Sequence, residues 1–465
     1  MIVVLGAGLT GLSFSHHAGH DRCLVLEEST RPLGLVRTER ADGAFWDIGP
    51  HVSFTKHAYV RHLQQAGCAG RQRSFQALIS NHYRGSWISH PAQSHLYQLD
   101  PDLRQACLSS VQAIRALPAK EPAHYGDWLE RAFGPEFTRV FAAAYTRKYW
   151  TVEPEEMTVS WIGRRIFYPD LEQIERGAEG PLPYDTHYIT SIRYPQVGGY
   201  ASYFAHLAKG ANIRYGARVE RIDLERREVT TADGSVHPYS RLVSTIPLDR
   251  FVEATLQAGD KVRAAARRLA RTDLSLINVL VPHPPTRPES WLYVYDEDCL
   301  STRITLTTNL SPEVTPPGSC GLQVEVYAGP TRPLPLDGQA LVNRVVEELT
   351  AMGLIAPGTD RESIRATLVS QPYANVLFDH AREAALDSIL DWLSGYGLER
   401  EEGDLDPVVD WERARPLSGP LLLGGRFAQW KYLWSDDCTL RGAQMAGLSP
   451  ASLDAEHNTE HMEAT

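Results

Sequence analysis

The residues best suited to chemistry stand at the amino terminus: Gly6-Ala7-Gly8-Leu9-Thr10-Gly11, with Glu27 further on. Glycine at position 6 permits a tight turn. Glycine at 8 lets the backbone approach a pyrophosphate, and glycine at 11 lets a helix pack on the preceding strand. The first amides of that helix face the phosphates, and an acid ending the next strand holds a ribose hydroxyl pair. This is dinucleotide-binding chemistry. It needs strand, turn, helix, strand and acid in that order, and the flanks supply them. Ile2-Val3-Val4-Leu5 precedes the turn, Leu9, Leu12, Ser13 and His16 follow with helical spacing, and Cys23-Leu24-Val25-Leu26 runs into Glu27.

The elements that position the rest are spread along 465 residues, enough for two or three domains. Asp100 predicts an N-cap with Pro101 in the first turn, and Asp127 with Glu130 predicts a second helix start. Short strands are expected at Ile213–Tyr215, Val219–Ile222 and Arg241–Thr245, with longer β runs at Leu276–Val281 and Gln323–Tyr327. A helix follows over 339–352, and Leu421-Leu422-Leu423 enters a late glycine turn at Gly424-Gly425. A dinucleotide domain built from the beginning, middle and end of a chain suits FAD better than NAD. The expected class is α/β, with a Rossmann-type FAD-binding domain assembled discontinuously from 1–85, 195–262 and 405–450. Residues 86–194 form a mainly helical substrate domain, 263–404 an antiparallel β-sheet substrate domain, and 451–465 a flexible tail.

Apolar content of 43% and charged content of 22% are those of an ordinary globular enzyme. A net charge of -11 argues against nucleic acid or an anionic membrane as partner. The six cysteines lack CxxC or metal-ligand spacing, which favours reduced thiols and no metal site. The first apolar run is too short for a secretory segment, and no run reaches a membrane span. A cytoplasmic location is expected.

Six stretches together resemble the UDP-galactopyranose mutase family, in its eukaryotic-type branch, within the FAD proteins that include amine oxidases and protoporphyrinogen oxidases. They are Asp47–Phe54; Gly85–Gln93; Lys148–Val152 continuing to Trp161–Arg165; Trp291-Leu292-Tyr293 with Arg303 and Asn309–Pro312; the Tyr373 region; and Gly425–Tyr432. The first and last are common among flavin oxidoreductases, so the middle four discriminate. The resemblance implies that Arg165 and Arg303 converge on a sugar-nucleotide diphosphate as catalytic groups, where planar forks bind phosphate oxygens in pairs. By residue type alone Arg165 reads as a surface ion-pair partner, and Arg303, alternating with Ser301 and Thr305, as part of a solvated sheet face. Tyr293, Tyr373 and Tyr432 are implied at the diphosphate, although Tyr373 and Tyr432 read equally as core aromatics. Trp150 and Gln93 are implied at the base. His51, otherwise a strand-end histidine, is implied against the flavin ring as a catalytic group. The implied FAD contacts are Gly6, Gly8, Thr10, Gly11, Glu27, Gly34, Leu35, His51, Val219, Gly425, Arg426 and Asp437.

The chain departs from the pattern at Leu33, where a glycine is usual, at Ala92 and Thr146 near the base, and at Ala374-Asn375-Val376, where prolines are common. The resemblance implies interconversion of pyranose and furanose forms of a nucleotide sugar through an adduct at N5 of reduced FAD, with NAD(P)H a candidate reductant. The alternative is an FAD-dependent oxidoreductase of the amine oxidase or protoporphyrinogen oxidase type. A silent sugar-nucleotide binder is a third reading. The arginine pair and the stretch from Tyr293 to Arg303 favour the mutase.

Overall fold

The computed structural model describes residues 1–163, 166–183 and 191–463, with side chains to 457. Among them a five-stranded parallel sheet runs in the order Leu421–Leu423, Arg241–Ser244, Ile2–Leu5, Cys23–Leu26, Ile213–Arg214. All but the edge strand Ile213–Arg214 are mostly buried apolar runs, because both faces of the sheet are covered there. The sheet draws on the start, middle and end of the chain. Leu9–Ala18 follows the first strand and packs closely on the late helix Ser435–Met445. That approach needs Gly442, whose added Cβ would fall 2.4 Å from Ser13 Cβ. Ser13 Oγ then donates to the Thr439 carbonyl at 2.6 Å.

A seven-stranded mixed sheet forms the second layer, in the order Arg365–Val376, Arg271–Val281, Cys320–Ala328, Arg303–Leu306, Trp291–Val294, Ile79–Tyr83, Ser86–Ser89. Pairing is antiparallel except between Trp291–Val294 and Ile79–Tyr83. The hairpin 79–89 therefore belongs with this sheet, whereas the sequence reading divides it at residue 85. One sheet face shares an apolar cluster with the helix Gly338–Ala351.

Helices Pro101–Ala116 and Tyr125–Phe133 lead the helical region. Asp100 caps the first by accepting from the Asp102 amide at 3.0 Å. The second starts two residues before Asp127, because His124 Nδ1 is the cap and accepts from the Asp127 amide at 3.2 Å. Within the segment expected as a tail, Pro450–Glu463 is a helix. Asp454 docks it by pairing with His57 and accepting from the Tyr59 amide. No helix among the described residues is long and apolar enough to cross a membrane.

Candidate functional site

The glycine turn is a cradle with open space above it. Gly6 adopts φ +95, and the Gly6 carbonyl lies 2.2 Å from where a Cβ on Gly11 would stand. A Cβ on Gly8, by contrast, meets no chain atom within 4 Å. Gly8 is also the N-cap of Leu9–Ala18, so no side chain satisfies the amides of the first turn. Gly425, at φ +107, closes over Thr10, whose Oγ1 would lie 3.2 Å from an added Cβ. Glu27 ends the second strand, accepting from the amides of Ala7 at 2.7 Å and Ser29 at 2.9 Å. Leu33 takes the left-handed conformation a glycine would, at φ +80, and donates to the Ala7 carbonyl at 2.8 Å. The turn keeps its shape at a cost of about 1–2 kcal/mol of backbone strain.

These residues fit a dinucleotide. Gly8, Gly34 and the first helical amides would hold the pyrophosphate of FAD, and Glu27 its ribose. Leu35 and Arg426 line the adjoining cavity. Val219 opens a strand of a small three-stranded sheet and is half-buried. Asp437 is occupied by protein donors, the Trp411 indole and the Trp434 amide, both at 2.7 Å. It positions the helix Ser435–Met445.

The cavity has a volume of about 450 Å³. Period-two alternation builds one of its walls. Ile277, Leu292, Ile304 and Val324 point to the apolar cluster behind the sheet, while Leu274, Tyr293, Arg303, Glu325 and Tyr327 point into the cavity. Asn81 stands opposite Tyr293, Tyr293 opposite Arg303, and Arg303 opposite Glu325, so a polar row crosses four strands. Arg303 donates through Nε and Nη2 to both Glu325 oxygens, at 2.6 and 2.8 Å. Burial opposes the guanidinium charge, yet the Glu325 carboxylate holds the Arg303 pKa well above the usual arginine value. One edge of the predicted phosphate fork is therefore committed to a carboxylate.

Against this wall, Gly49 turns the chain at φ +79 and sets His51 in the cavity. His51 Nδ1 lies 2.8 Å from the Gly49 carbonyl, which only accepts, so Nδ1 carries the proton and Nε2 is an acceptor. Burial, reinforced by Arg426 and Arg303, lowers its pKa to about 4 against the pull of the Gly49 bond. The ring is neutral at pH 7 and stacks on Tyr200 with centroids 5.1 Å apart. Arg426 is fixed by the carbonyls of Leu433 at 2.8 Å and Ala374 at 3.2 Å.

Gln93, Trp150, Tyr293, Arg303 and Tyr432 all line this one cavity. Tyr373 does not. A β-bulge and a left-handed φ of +62 turn it away. Its hydroxyl donates to Asp249 at 2.8 Å and accepts from Arg250 Nε at 3.1 Å, with the Arg271 guanidinium 4.0 Å above the ring. Ala374 and Asn375 line the cavity in its place. Arg165 lies outside the described residues. Sequence reasoning missed Glu325, Tyr145, Tyr149 and Asn375. Glu325 carried a signal, a lone acid on the polar face of the alternating run Leu322–Val326, which it shares with Gln323.

Residues 12–382 match the family of flavin containing amine oxidoreductases. Among solved structures, the fold is similar to a reduced UDP-galactopyranose mutase, 22% identical over 97% of this chain and 98% of that one, with a TM-score of 0.85. It is also similar to an Exiguobacterium sp. 255-15 protein assigned as a protoporphyrinogen oxidase, 14% identical over 98% of both chains, with a TM-score of 0.69. A third is a fatty acid isomerase from P. acnes that produces CLA, 12% identical over 96% of this chain and 97% of that one, with a TM-score of 0.59. At these identities the likeness is one of fold.

Proposed function

The chain belongs to the flavin containing amine oxidoreductase family, and from that premise we propose that it interconverts pyranose and furanose forms of a nucleotide-linked sugar. The observation that carries this reading is the convergence of Gln93, Trp150, Tyr293, Arg303 and Tyr432, from distant parts of the sequence, on one cavity beside the cradle. Reduced FAD, when bound, supplies the nucleophile for the anomeric carbon, with NAD(P)H a candidate source of electrons. The chain's own residues bind and orient. Arg303 stabilises the departing diphosphate, and Glu325 fixes the plane of its guanidinium. His51 stays neutral and offers an acceptor at Nε2. The aromatic walls exclude water from the sugar during the reaction.

A second reading is net oxidation of a substrate by FAD. The family match favours it, because Arg303 is already neutralised by Glu325 and an aromatic-walled cavity suits an uncharged substrate equally well. One experiment separates the two. Protein reduced with dithionite is incubated without oxygen with UDP-, GDP- and dTDP-hexoses. Furanose product formed only with reduced flavin supports the mutase. One flavin reduced per substrate consumed, with no isomer, supports the oxidoreductase.

A further inference from the structure

Among the described residues, the side-chain amide of Asn375 is one of three buried donors on the cavity lining that lack a hydrogen-bond partner, with Gln64 Nε2 and Trp291 Nε1. Asn375 is 4% exposed and lines the cavity, yet Nδ2 has no hydrogen-bond partner. A buried amide nitrogen without an acceptor is costly, and native proteins keep such groups where a ligand completes them. The rest of the side chain is anchored. Oδ1 accepts from the Tyr149 hydroxyl at 3.4 Å, and the backbone amide donates to Thr272 Oγ1 at 3.2 Å. The bulge between Arg271–Val281 and Arg365–Val376 sends Tyr373 outward and brings Asn375 to the cavity side. Next to it, the Ala374 carbonyl fixes Arg426, a second cavity-lining cation.

We propose that Asn375 Nδ2 is a ligand-binding donor that takes an oxygen acceptor, a phosphate or hydroxyl oxygen of the substrate. The donor sense follows from the neighbourhood. Tyr149 supplies the proton on the Oδ1 side, which leaves Nδ2 and its two N–H groups to donate. A carbonyl oxygen of the bound flavin offers the same chemistry, and the test below separates the two sources. The nucleotide-sugar identity of the substrate rests on the proposed function; the unsatisfied donor does not.

The test compares wild-type holoprotein with Asn375→Leu, close in size and without polar atoms, and Asn375→Asp, the same shape without a donor. Thermal melting and flavin content establish that each variant is folded and loaded. Titration with UDP-galactose and with UDP gives the dissociation constant, and the flavin spectrum and midpoint potential give the cofactor readout. If the substrate is the partner, Asn375→Leu weakens binding about tenfold, the loss of one hydrogen bond to a charged group. Asn375→Asp then weakens it further by placing like charge against the ligand, with the flavin readouts unchanged. If the flavin is the partner, potential and spectrum shift while nucleotide binding is unaltered. A weaker Asn375→Leu alongside an Asn375→Asp at wild-type strength overturns the donor assignment. Binding and flavin readouts that match wild type in both variants overturn the inference. Wild-type protein that binds neither nucleotide overturns the proposed function instead, and the flavin readouts still decide whether Asn375 donates to the cofactor.

Discussion

Arg303 and Glu325 face each other across adjacent antiparallel strands, joined by two hydrogen bonds of 2.6 and 2.8 Å on the cavity wall. Glu325 is 2% exposed at its side chain and Arg303 is 23% exposed. Removing one member of such a pair leaves the other charge buried and uncompensated, which costs about 3–5 kcal/mol. Arg303→Ala should therefore lower the melting temperature, and Arg303→Ala/Glu325→Ala should recover part of the loss. A double-mutant cycle by chemical denaturation reads both. A double-variant loss equal to the sum of the Arg303→Ala and Glu325→Ala losses would show that the pair is not coupled.

Substrate binding gives a separate prediction for the same arginine. Lysine keeps a charge but lacks the planar fork that grips Glu325 while facing the ligand. Arg303→Lys should retain FAD and weaken nucleotide-sugar affinity, and Arg303→Ala should weaken it by at least tenfold relative to wild type, as expected for one charged hydrogen bond. Isothermal titration of the flavin-loaded variants checks the order. Equal affinities across the three proteins would remove Arg303 from the substrate site.

Two glycines of one turn should fail in different ways. A side chain at Gly8 enters open space, and its φ of -71 suits any residue. Gly8→Val should fold with a melting temperature near that of wild-type apoprotein and carry no flavin, because the side chain fills the space above the cradle. A side chain at Gly11 meets the Gly6 carbonyl at 2.2 Å. Gly11→Ala should destabilise the protein itself. The ratio of flavin absorbance to protein absorbance, measured beside thermal melting, separates the two behaviours. A yellow Gly8→Val protein sinks the cradle assignment.

The amino-terminal βαβ unit was legible because every local rule agreed: apolar runs, glycines at the turn and an acid at the strand end. Arg303 was legible as a residue of an alternating strand, but its partner was not. Pairing Arg303 with Glu325 needs the strand register, which no local pattern in either segment specifies. Tyr373 and Asn375 show the limit more sharply. Alternation alone places Tyr373 and Asn375 on the same side of an unbroken strand, and the bulge opposite Asp273 reverses that. The carboxyl-terminal helix was hidden for another reason. Its polar sequence gives little amphipathic signal, and its docking contacts are scattered: Asp454 reaches His57 and Tyr59, Leu453 packs on the cluster around Tyr59 and Leu63, and the His457 ring meets Tyr59 and His62.

The outward setting of Tyr373 has its own test. Its hydroxyl links Asp249 and Arg250 away from the cavity. Tyr373→Phe should lower stability by roughly 1.5–3 kcal/mol, the range for hydrogen bonds with a charged partner, and leave substrate affinity unchanged. Tyr432→Phe, within the cavity wall, should do the reverse. A Tyr373→Phe protein with wild-type stability and a raised KM would return this tyrosine to the substrate site.

His51 makes the protein sensitive to acid. Burial holds its folded pKa at about 4, against an ordinary 6.5 in the unfolded chain. Between those values the unfolded state binds more protons, so stability rises with pH and is lost as pH falls from 6.5 towards 4. The full shift corresponds to at most about 3 kcal/mol. His17, also held at about 4, adds a slope in the same window, so the comparison must isolate one residue. His51→Gln keeps a hydrogen-bonding side chain and cannot titrate. Melting temperatures across pH 4 to 8 should fall less steeply on the acid side for His51→Gln than for wild type, and the two curves should run parallel above pH 7. Parallel curves across the whole range would mean that folding leaves the pKa of His51 unchanged, and would overturn its lowering by burial.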